Sequence, residues 1–224
     1  MTFKAGIVGF GLSGRVFHAP LMAPAGIELA AISSSKPDAV KALYPEVKVY
    51  ATPQEMFADP SLDLINLASP SPTHYPLALE ALRAGKHVVI DKPLAPTAKA
   101  AQHLIDTAAE LGKTVSCYQN RRWDSDHLTL CKLIEEGRLG HIHQYEAHFE
   151  FFKPEPATDI WKEQTGDAVG VHYDLGTHLI DQVVKLFGLP DWVQGEALAQ
   201  RPSSQIADNF YARLAYGSMR VTLH

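Results

Sequence analysis

The sequence predicts an α/β amino-terminal half built on a parallel sheet, followed by an α+β second half. In the first half, short apolar strand-forming runs alternate with helical patterns, and this order is typical of parallel sheets covered by helices on both faces. The runs are almost continuously apolar, as expected for strands buried on both sides. After about residue 120 the pattern changes to longer alternating stretches and consecutive strand candidates.

Strands and helices of the first half are marked by local signals. The helix over 52–59 opens with Thr52, Pro53 and Glu55, which supply an N-cap, a proline in the first turn and a capping-box partner. The helices over 73–85 and 97–112 each end at a glycine, a favoured residue just beyond a helix. The predicted strands are 4–8, 26–33, 63–68, 86–90 and 113–117.

The second half opens with a helix over 123–137, capped by Asp124 or Ser125. Residues 141–151 alternate as in a half-solvated strand, and a helix is predicted from 170 onward. The remaining strands, predicted to be antiparallel, are 191–199, 208–216 and 218–224. Because the last strand reaches His224, we expect an incomplete open sheet. The expected domains are 1–119 and 120–224.

Composition excludes several classes of function. The formal net charge is −5 at pH 7 and no Lys/Arg-rich block is present, which argues against nucleic-acid binding. No apolar run approaches about 18 residues, so we expect no membrane span. Cys117 and Cys131 form no C-x-x-C motif, and a reducing cytoplasmic setting fits best.

A glycine motif directly follows the first predicted strand. Gly9, Gly11 and Gly14 have G-x-G-x-x-G spacing between that strand and a helix, which is the context that dinucleotide binding requires. Gly9 would allow a tight turn, Gly11 the approach of a pyrophosphate, and Gly14 close helix–strand packing. An ordinary glycine-rich turn is the alternative.

The second strand ends in ISSSKPD, where an NAD site usually places an acidic residue against the ribose. Hydroxyl groups and a cation suit a ribose 2′-phosphate better, so we favour NADP over NAD. Asp38 keeps NAD open, and Lys36 could instead be a solvated loop lysine. The residues predicted to hold this part of the cofactor are Ser33, Ser34, Ser35 and Lys36.

Two further loops follow strands at the edge where α/β sheets bind ligands. The loop after the fourth predicted strand offers Ser69, Pro70, Thr73 and His74 as cofactor neighbours, although Thr73 could simply cap the next helix. The other loop is Asp91-Lys92-Pro93. Its proline stiffens the chain, and a partly desolvated lysine there could assist proton transfer beside a nicotinamide. An exposed loop lysine is the alternative.

The stretch GVHYDLGTHLID (170–181) places Asp174, His178 and Asp181 on one face of a predicted helix. By itself such a stripe is most simply a solvated face. Beside a glycine fingerprint and a Lys-Pro loop, we expect Asp174 and His178 to line an active-site cleft. Asp181 lies further along and could instead hold the helix to its neighbours.

The glycine motif, the Lys-Pro loop and the Asp174/His178 pair follow one another along the chain. Together, in this order, they resemble the motifs of the glucose–fructose oxidoreductase / inositol dehydrogenase / rhizopine catabolism (Gfo/Idh/MocA) family. NRRWDSD (120–126) and YDLGTHLIDQ (173–182) are similar to its NADP-dependent scyllo-inositol dehydrogenase branch in particular. The family's usual E-K-P is D-K-P here. The motifs are GFGLSG (9–14) with His18 and Pro20, DKP (91–93), and Asp174-x-x-x-His178.

The resemblance implies a Rossmann domain, an α+β domain with a large open sheet, and oxidation of a sugar or cyclitol alcohol or reduction of its ketone. It implies that Lys92, Asp174 and His178 are catalytic. It also places Asn120 near the nicotinamide and Trp161 near the cofactor, with Lys162 where the family often has arginine. The expected cofactor-binding residues are Gly9, Phe10, Gly11, Leu12, Ser13, Gly14, Ser33, Ser34, Ser35, Lys36, Ser69, Pro70, Thr73, His74, Asp91, Lys92, Pro93, Asn120 and Trp161.

The expected reaction is hydride transfer, with His178 as general base, Lys92 stabilising the alkoxide and Asp174 orienting His178. Which of Lys92 and His178 takes the proton stays open, and a non-catalytic NADP-binding sensor is the competing class. We expect a homodimer or homotetramer through the second sheet, and a missing third of the family's length. His141 and His143 have metal-compatible spacing but no further ligands are evident in the sequence, so we expect no metal.

Overall fold

The computed structural model describes residues 2–157 and 161–224. The chain divides into two compact units, Met1–Tyr118 and Gln119–His224. Within the described part of the chain, no helix has the length and hydropathy that crossing a bilayer requires.

The first unit contains a six-stranded sheet in the order β3-β2-β1-β4-β5-β6, with every neighbouring pair parallel. This is the strand order of a Rossmann fold, and the predicted α/β class is confirmed. The direction of the chain's progress across the sheet reverses on either side of β1, which creates a switch point at the carboxyl edge. The strands are β1 (Phe3–Val8), β2 (Ile27–Ser33), β3 (Lys48–Tyr50), β4 (Leu64–Leu67), β5 (His87–Asp91) and β6 (Val115–Tyr118).

Helices cover both faces of this sheet. The predicted capping box forms, because Thr52 Oγ1 accepts from the N–H of Glu55 and the Glu55 carboxylate accepts from the N–H of Thr52, both at 3.3 Å. Two buried apolar clusters, one containing Ile65 and the other Ile7, form the core. The helices are α1 (Ala19–Met22), α2 (Pro37–Leu43), α3 (Pro53–Phe57), α4 (His74–Arg83) and α5 (Ala98–Glu110).

Two elements of this unit were not predicted from the sequence, and one predicted helix begins with a different geometry. β3 is only three residues long and α2 only seven, so neither shows a clear periodicity. The helix after the glycine motif begins as a π-helical turn, Ser13–His18, before α1.

The second unit contains a four-stranded sheet in the order β7-β10-β9-β8. The β8/β9 and β9/β10 pairs are antiparallel, which confirms the predominantly antiparallel sheet, but β7 and β10 are parallel. The strand predicted over 141–151 is too long, since β7 begins at Gln144 and ends at Ala147, the residues that pair in register with β10. The elements are α6 (Ser125–Glu135), β7 (Gln144–Ala147), α7 (Thr177–Phe187), β8 (Trp192–Leu198), β9 (Asn209–Tyr216) and β10 (Met219–Leu223).

The helix predicted from 170 onward is two consecutive elements. A π-helical turn, His172–Gly176, leads directly into α7. Leu179 and Val183 of α7 are buried in the core of this unit together with residues of β9 and β10. This packing, together with the π-helical turn before α7, therefore determines the directions in which the polar side chains of residues 170–181 point.

Candidate functional site

At two positions of the turn after β1, the surrounding backbone leaves room for glycine only. Gly9 has a φ of +93°, and a Cβ there would lie 2.8 Å from the carbonyl oxygen of Ala68. A Cβ on Gly14 would overlap the carbonyl oxygen of Gly9. Larger residues would therefore displace the turn, as the motif's packing role demands.

Gly11 differs from these two glycines. A Cβ on Gly11 would meet nothing within 4 Å, so the fold itself does not require glycine there. The open space in front of this backbone is what a closely approaching phosphate group would need.

A pocket of about 360 Å³ lies beside this turn, at the carboxyl edge of the sheet. It joins the glycine turn to the end of β2 and to the loop after β4. Asp38 is not among its lining residues, and Lys36 is exposed beside it. The predicted residues that line it are Gly9, Phe10, Gly11, Ser33, Ser34, Ser35, Lys36 and Ser69.

Leu12 and Ser13 do not line this pocket. Leu12 is 65% exposed. The Ser13 hydroxyl donates to the carboxylate of Asp91, so it joins the glycine-rich turn to the end of β5. Asp91 also accepts from the main-chain N–H of Lys92 at 2.8 Å.

A buried histidine completes this connection. His18 is 3% exposed, and its Nδ1 accepts from the side-chain amide of Asn66 at 2.8 Å. Its proton is therefore on Nε2, which lies 3.8 Å from the Asp91 carboxylate. Burial raises the pKa of Asp91, but His18, Ser13 and the N–H of Lys92 outweigh burial and hold that pKa below its ordinary value. Asp91 thus positions the turn and the Lys92 loop.

Sequence reasoning missed Asn66. The signal was present, since Asn66 is the one polar residue in the middle of the apolar run DLINLA. A buried polar side chain in a strand needs a hydrogen-bonding partner, and His18 supplies it.

His74 joins the two predicted loops to each other. It is 1% exposed, and its ring nitrogens lie 2.9 Å from the carbonyl oxygens of Ser69 and Pro93. Thr73 Oγ1 donates to the carbonyl of Pro70 at 2.7 Å instead of capping α4 with its side chain. These contacts give both side chains a positioning role.

Lys92 follows β5 directly and is half-buried, joined to Pro93 by a cis peptide bond. The simple picture of a fully exposed loop lysine is therefore wrong. Pro70, in contrast, is exposed.

In the second unit, Asp174 lies in the π-helical turn and His178 in the first turn of α7. His178 is only 6% exposed, so the solvated-face interpretation is wrong for this residue. Lys162 Nζ donates to both carboxylate oxygens of Asp174, at 2.7 and 2.9 Å. Of the two predicted catalytic side chains of this unit, His178 is therefore buried and Asp174 is ion-paired.

Asp181 has a different partner. Arg122 donates to its two carboxylate oxygens from Nε and a terminal nitrogen, both at 2.7 Å. Arg122 belongs to the short helical turn Asn120–Trp123, which also carries the predicted Asn120. Gln182 reinforces the contact by donating to the carbonyl of Arg121 at 2.9 Å. Asp181 therefore ties α7 to this turn, the alternative considered from the sequence.

The turn Trp161–Glu163 carries both Lys162 and the predicted Trp161, which is 37% exposed. Glu163 pairs with Arg201 at 2.8 Å, and Arg201 Nε donates to Asp208 at 2.8 Å. Burial raises the pKa of Asp208, but hydrogen bonds from Arg201 and the N–H of Gln200 lower it to about 2. No sequence pattern pointed to Arg201, because its partners are distant along the chain.

Comparison with known protein families accounts for both units. Residues 3–119 match the model of the Gfo/Idh/MocA oxidoreductase family with its NAD-binding Rossmann fold. The chain belongs to the Gfo/Idh/MocA family. Residues 127–224 match a model of the family's carboxyl-terminal domain.

Known Gfo/Idh/MocA relatives resemble the chain along nearly its whole length. It is 47% identical to the uncharacterized oxidoreductase YdgJ of Escherichia coli, covering 100% of the chain and 64% of YdgJ. It is 40% identical to scyllo-inositol 2-dehydrogenase (NADP(+)) IolW of Bacillus subtilis, covering 100% of the chain and 62% of IolW. The solved structure of yvaA from Bacillus subtilis superposes with a TM-score of 0.95 at 40% identity, over 99% of the chain and 63% of yvaA. The chain thus spans less than two thirds of these relatives' lengths.

Membership of the Gfo/Idh/MocA family implies a nicotinamide dinucleotide, and the first unit fits one. The open space at Gly11 and the adjoining pocket lie at the switch point of the sheet. The hydroxyl groups and Lys36 at the end of β2 offer hydrogen-bond donors and one positive charge to an anionic group.

Proposed function

We propose that the protein is an NADP-dependent oxidoreductase that transfers a hydride between the nicotinamide and a secondary alcohol or ketone of a cyclitol or sugar. The observation that carries this proposal is the pocket joining the glycine turn to Ser33–Lys36. The relative IolW, named as an NADP-dependent scyllo-inositol 2-dehydrogenase, supports the substrate class.

The preference for NADP rests on the end of β2. Lys36 lies at the pocket and Asp38 does not line it, so the local charge favours a ribose 2′-phosphate. The glycine turn, with the open face of Gly11, would hold the pyrophosphate. NAD remains the alternative cofactor and is an outcome of the experiment below.

Each unit contributes groups suited to proton transfer. When bound, a nicotinamide held by the glycine turn and the end of β2 would supply the hydride acceptor for the oxidation direction. The hydroxyl proton passes to His178 or Lys92, while the other group stabilises the developing negative charge on oxygen. Asp174, held by Lys162, orients His178 or binds a neighbouring substrate hydroxyl.

The second unit would also provide the subunit interface. Every residue of β8 is exposed, which supports a homodimer or homotetramer formed through the open sheet. Among the described residues, Cys117 and Cys131 are thiols outside any disulfide, which fits the reducing cytoplasm that we propose as the location.

The decisive experiment follows the absorbance of reduced nicotinamide while the protein is incubated with NADP⁺ or NAD⁺ and a panel of inositols and sugars. We expect turnover with at least one cyclitol or sugar, and a higher kcat/KM with NADP⁺. Cofactor binding without turnover across the panel would instead favour a non-catalytic sensor.

A Lys92→Ala variant tests the mechanism separately. It should abolish turnover and leave NADP⁺ affinity within a few-fold, because the glycine turn and the β2 pocket are untouched. Near-full activity in this variant would overturn the assigned role of Lys92.

A further inference from the structure

Three potential metal ligands meet just beyond the ends of β7 and β10. Leu223 pairs with Ala147 in the parallel ladder. The ladder continues one step, since the N–H of His224 donates to the carbonyl of Ala147 at 3.1 Å and the N–H of Phe149 donates to that of His224 at 2.8 Å. This register sets His148 beside His224, with their ring centroids 4.3 Å apart.

Glu150 completes the cluster because it lies two residues after His148 and extended chain repeats its side-chain direction every second residue. Its Oε1 lies 3.2 Å from His148 Nδ1 and 3.4 Å from His224 Nδ1. One donor atom from each residue lies within 4.8 Å of the other two.

These distances match the edges of a zinc coordination sphere. Zinc binds imidazole nitrogen and carboxylate oxygen at about 2.0–2.1 Å, so the edge of its tetrahedron is about 3.3 Å. Both carboxylate–imidazole separations already have that length. The ligand atoms of the two imidazoles lie within 4.8 Å of each other.

The setting also suits a metal ion. The alternating residues Tyr145, Ala147 and Phe149 pack into the core, which directs His148 and Glu150 to the opposite face of the sheet. The side chains of His148, Glu150 and His224 are 44%, 62% and 35% exposed. A metal ion can therefore enter from solvent, and water can occupy the fourth position.

We propose that His148, Glu150 and His224 form a binding site for Zn²⁺ or a similar divalent transition metal. The ion would fasten the end of β7 to the end of β10, a structural role independent of the proposed redox function. The proposal departs from the expectation, based on sequence, that the chain holds no metal.

His141 and His143 provide an internal control. Their rings lie 4.4 Å apart, much as those of His148 and His224 do. Among the described residues, however, the cluster around Glu150 is the one group of three that could hold a metal ion. The pair His148/His224 therefore differs from the pair His141/His143 in having a carboxylate, that of Glu150, at a distance suited to a shared metal ion.

The test is calorimetric titration of chelator-treated protein with Zn²⁺, together with Co²⁺ titration followed by visible absorption. We expect one saturable site in the wild-type protein and the strong visible bands of tetrahedral Co²⁺. His148→Ala and Glu150→Gln should each weaken binding at least about tenfold, whereas His143→Ala should leave it unchanged. Zn²⁺ should raise the Tm of the wild-type protein and of His143→Ala only.

Equal binding by the wild-type protein, His148→Ala and Glu150→Gln would overturn the proposal, as would loss of binding in His143→Ala alone. Absence of saturable binding by the wild-type protein would overturn it directly. Far-UV circular dichroism checks folding, and the exposed Glu150→Gln variant decides the matter if His148→Ala does not fold.

Discussion

Lys162 Nζ lies 2.7 and 2.9 Å from the two carboxylate oxygens of Asp174. The neighbouring Glu163 is bound by Arg201 at 2.8 Å. The Trp161–Glu163 turn is therefore fixed from two directions, and its lysine holds a carboxylate that we assign to the active site. Lys162 thus has a specific partner within its own unit.

Replacing Lys162 by Met should lower kcat/KM about tenfold, equivalent to about 1.4 kcal/mol of transition-state stabilisation, because Asp174 loses its orienting partner. Stability should change by less than about 1 kcal/mol, since the pair is partly exposed, at 46% and 34%. Lys162→Arg should retain most activity. Lys153→Met is the matched control, and equal kinetics in both methionine variants would contradict the assigned role.

Alanine at the three motif glycines should separate folding from cofactor binding. Gly9→Ala and Gly14→Ala should each destabilise the protein by roughly 2 kcal/mol or more, because a Cβ there meets backbone atoms. Gly11→Ala should keep its Tm and bind NADP⁺ at least about tenfold more weakly. Thermal denaturation and fluorescence titration measure the two effects. A Gly11→Ala protein with wild-type affinity would exclude close approach of the pyrophosphate.

Lys36→Glu should weaken NADP⁺ binding about tenfold or more while changing NAD⁺ binding by less than about threefold, because only NADP⁺ has a 2′-phosphate. Lys99→Glu on α5 makes the same change of net charge away from the pocket and controls for long-range electrostatics. Equilibrium titration of both cofactors provides the comparison. Equal weakening of NADP⁺ and NAD⁺ binding would instead indicate that Lys36 contacts a part of the nucleotide that both cofactors share.

Asp181→Asn should destabilise the protein by about 1–2 kcal/mol, because it removes one charge from a two-pronged pair with Arg122. The KM for substrate should be unchanged, since Asp181 already has this partner. Urea denaturation of Asp181→Asn, Arg122→Gln and the double variant gives the coupling energy. A raised KM with unchanged stability would instead indicate a substrate contact.

Asp208 should make stability depend on pH at the acid end. Its pKa falls from 3.8 to about 2 on folding, so its contribution of roughly 2 kcal/mol is present above pH 4 and is lost as pH falls toward 2. Asp208→Asn should therefore be less stable than wild type at pH 6, with the difference shrinking below pH 4. Urea denaturation across this range measures it, and a constant difference would contradict the shifted pKa.

The parts predicted well from sequence are those set by neighbours along the chain. The capping box at Thr52 forms as the motif implies because its partners are three residues apart. β3 and the end of β7 were missed because a strand's limits depend on which strand pairs with it. The alternative considered for Thr73, a side-chain cap of α4, does not form, since its hydroxyl donates to the carbonyl of Pro70.

The sequence by itself determined the parallel sheet, the glycine turn and the order of the family's motifs, because apolar periodicity and backbone requirements act over a few residues. Only the tertiary structure decided what the polar side chains do. Asp181 pairs with Arg122, 59 residues away, and Ser13 with Asp91, 78 residues away. Electrostatic and hydrogen-bonding partners depend on distance in space, so they appear only once strand order and register bring distant residues together.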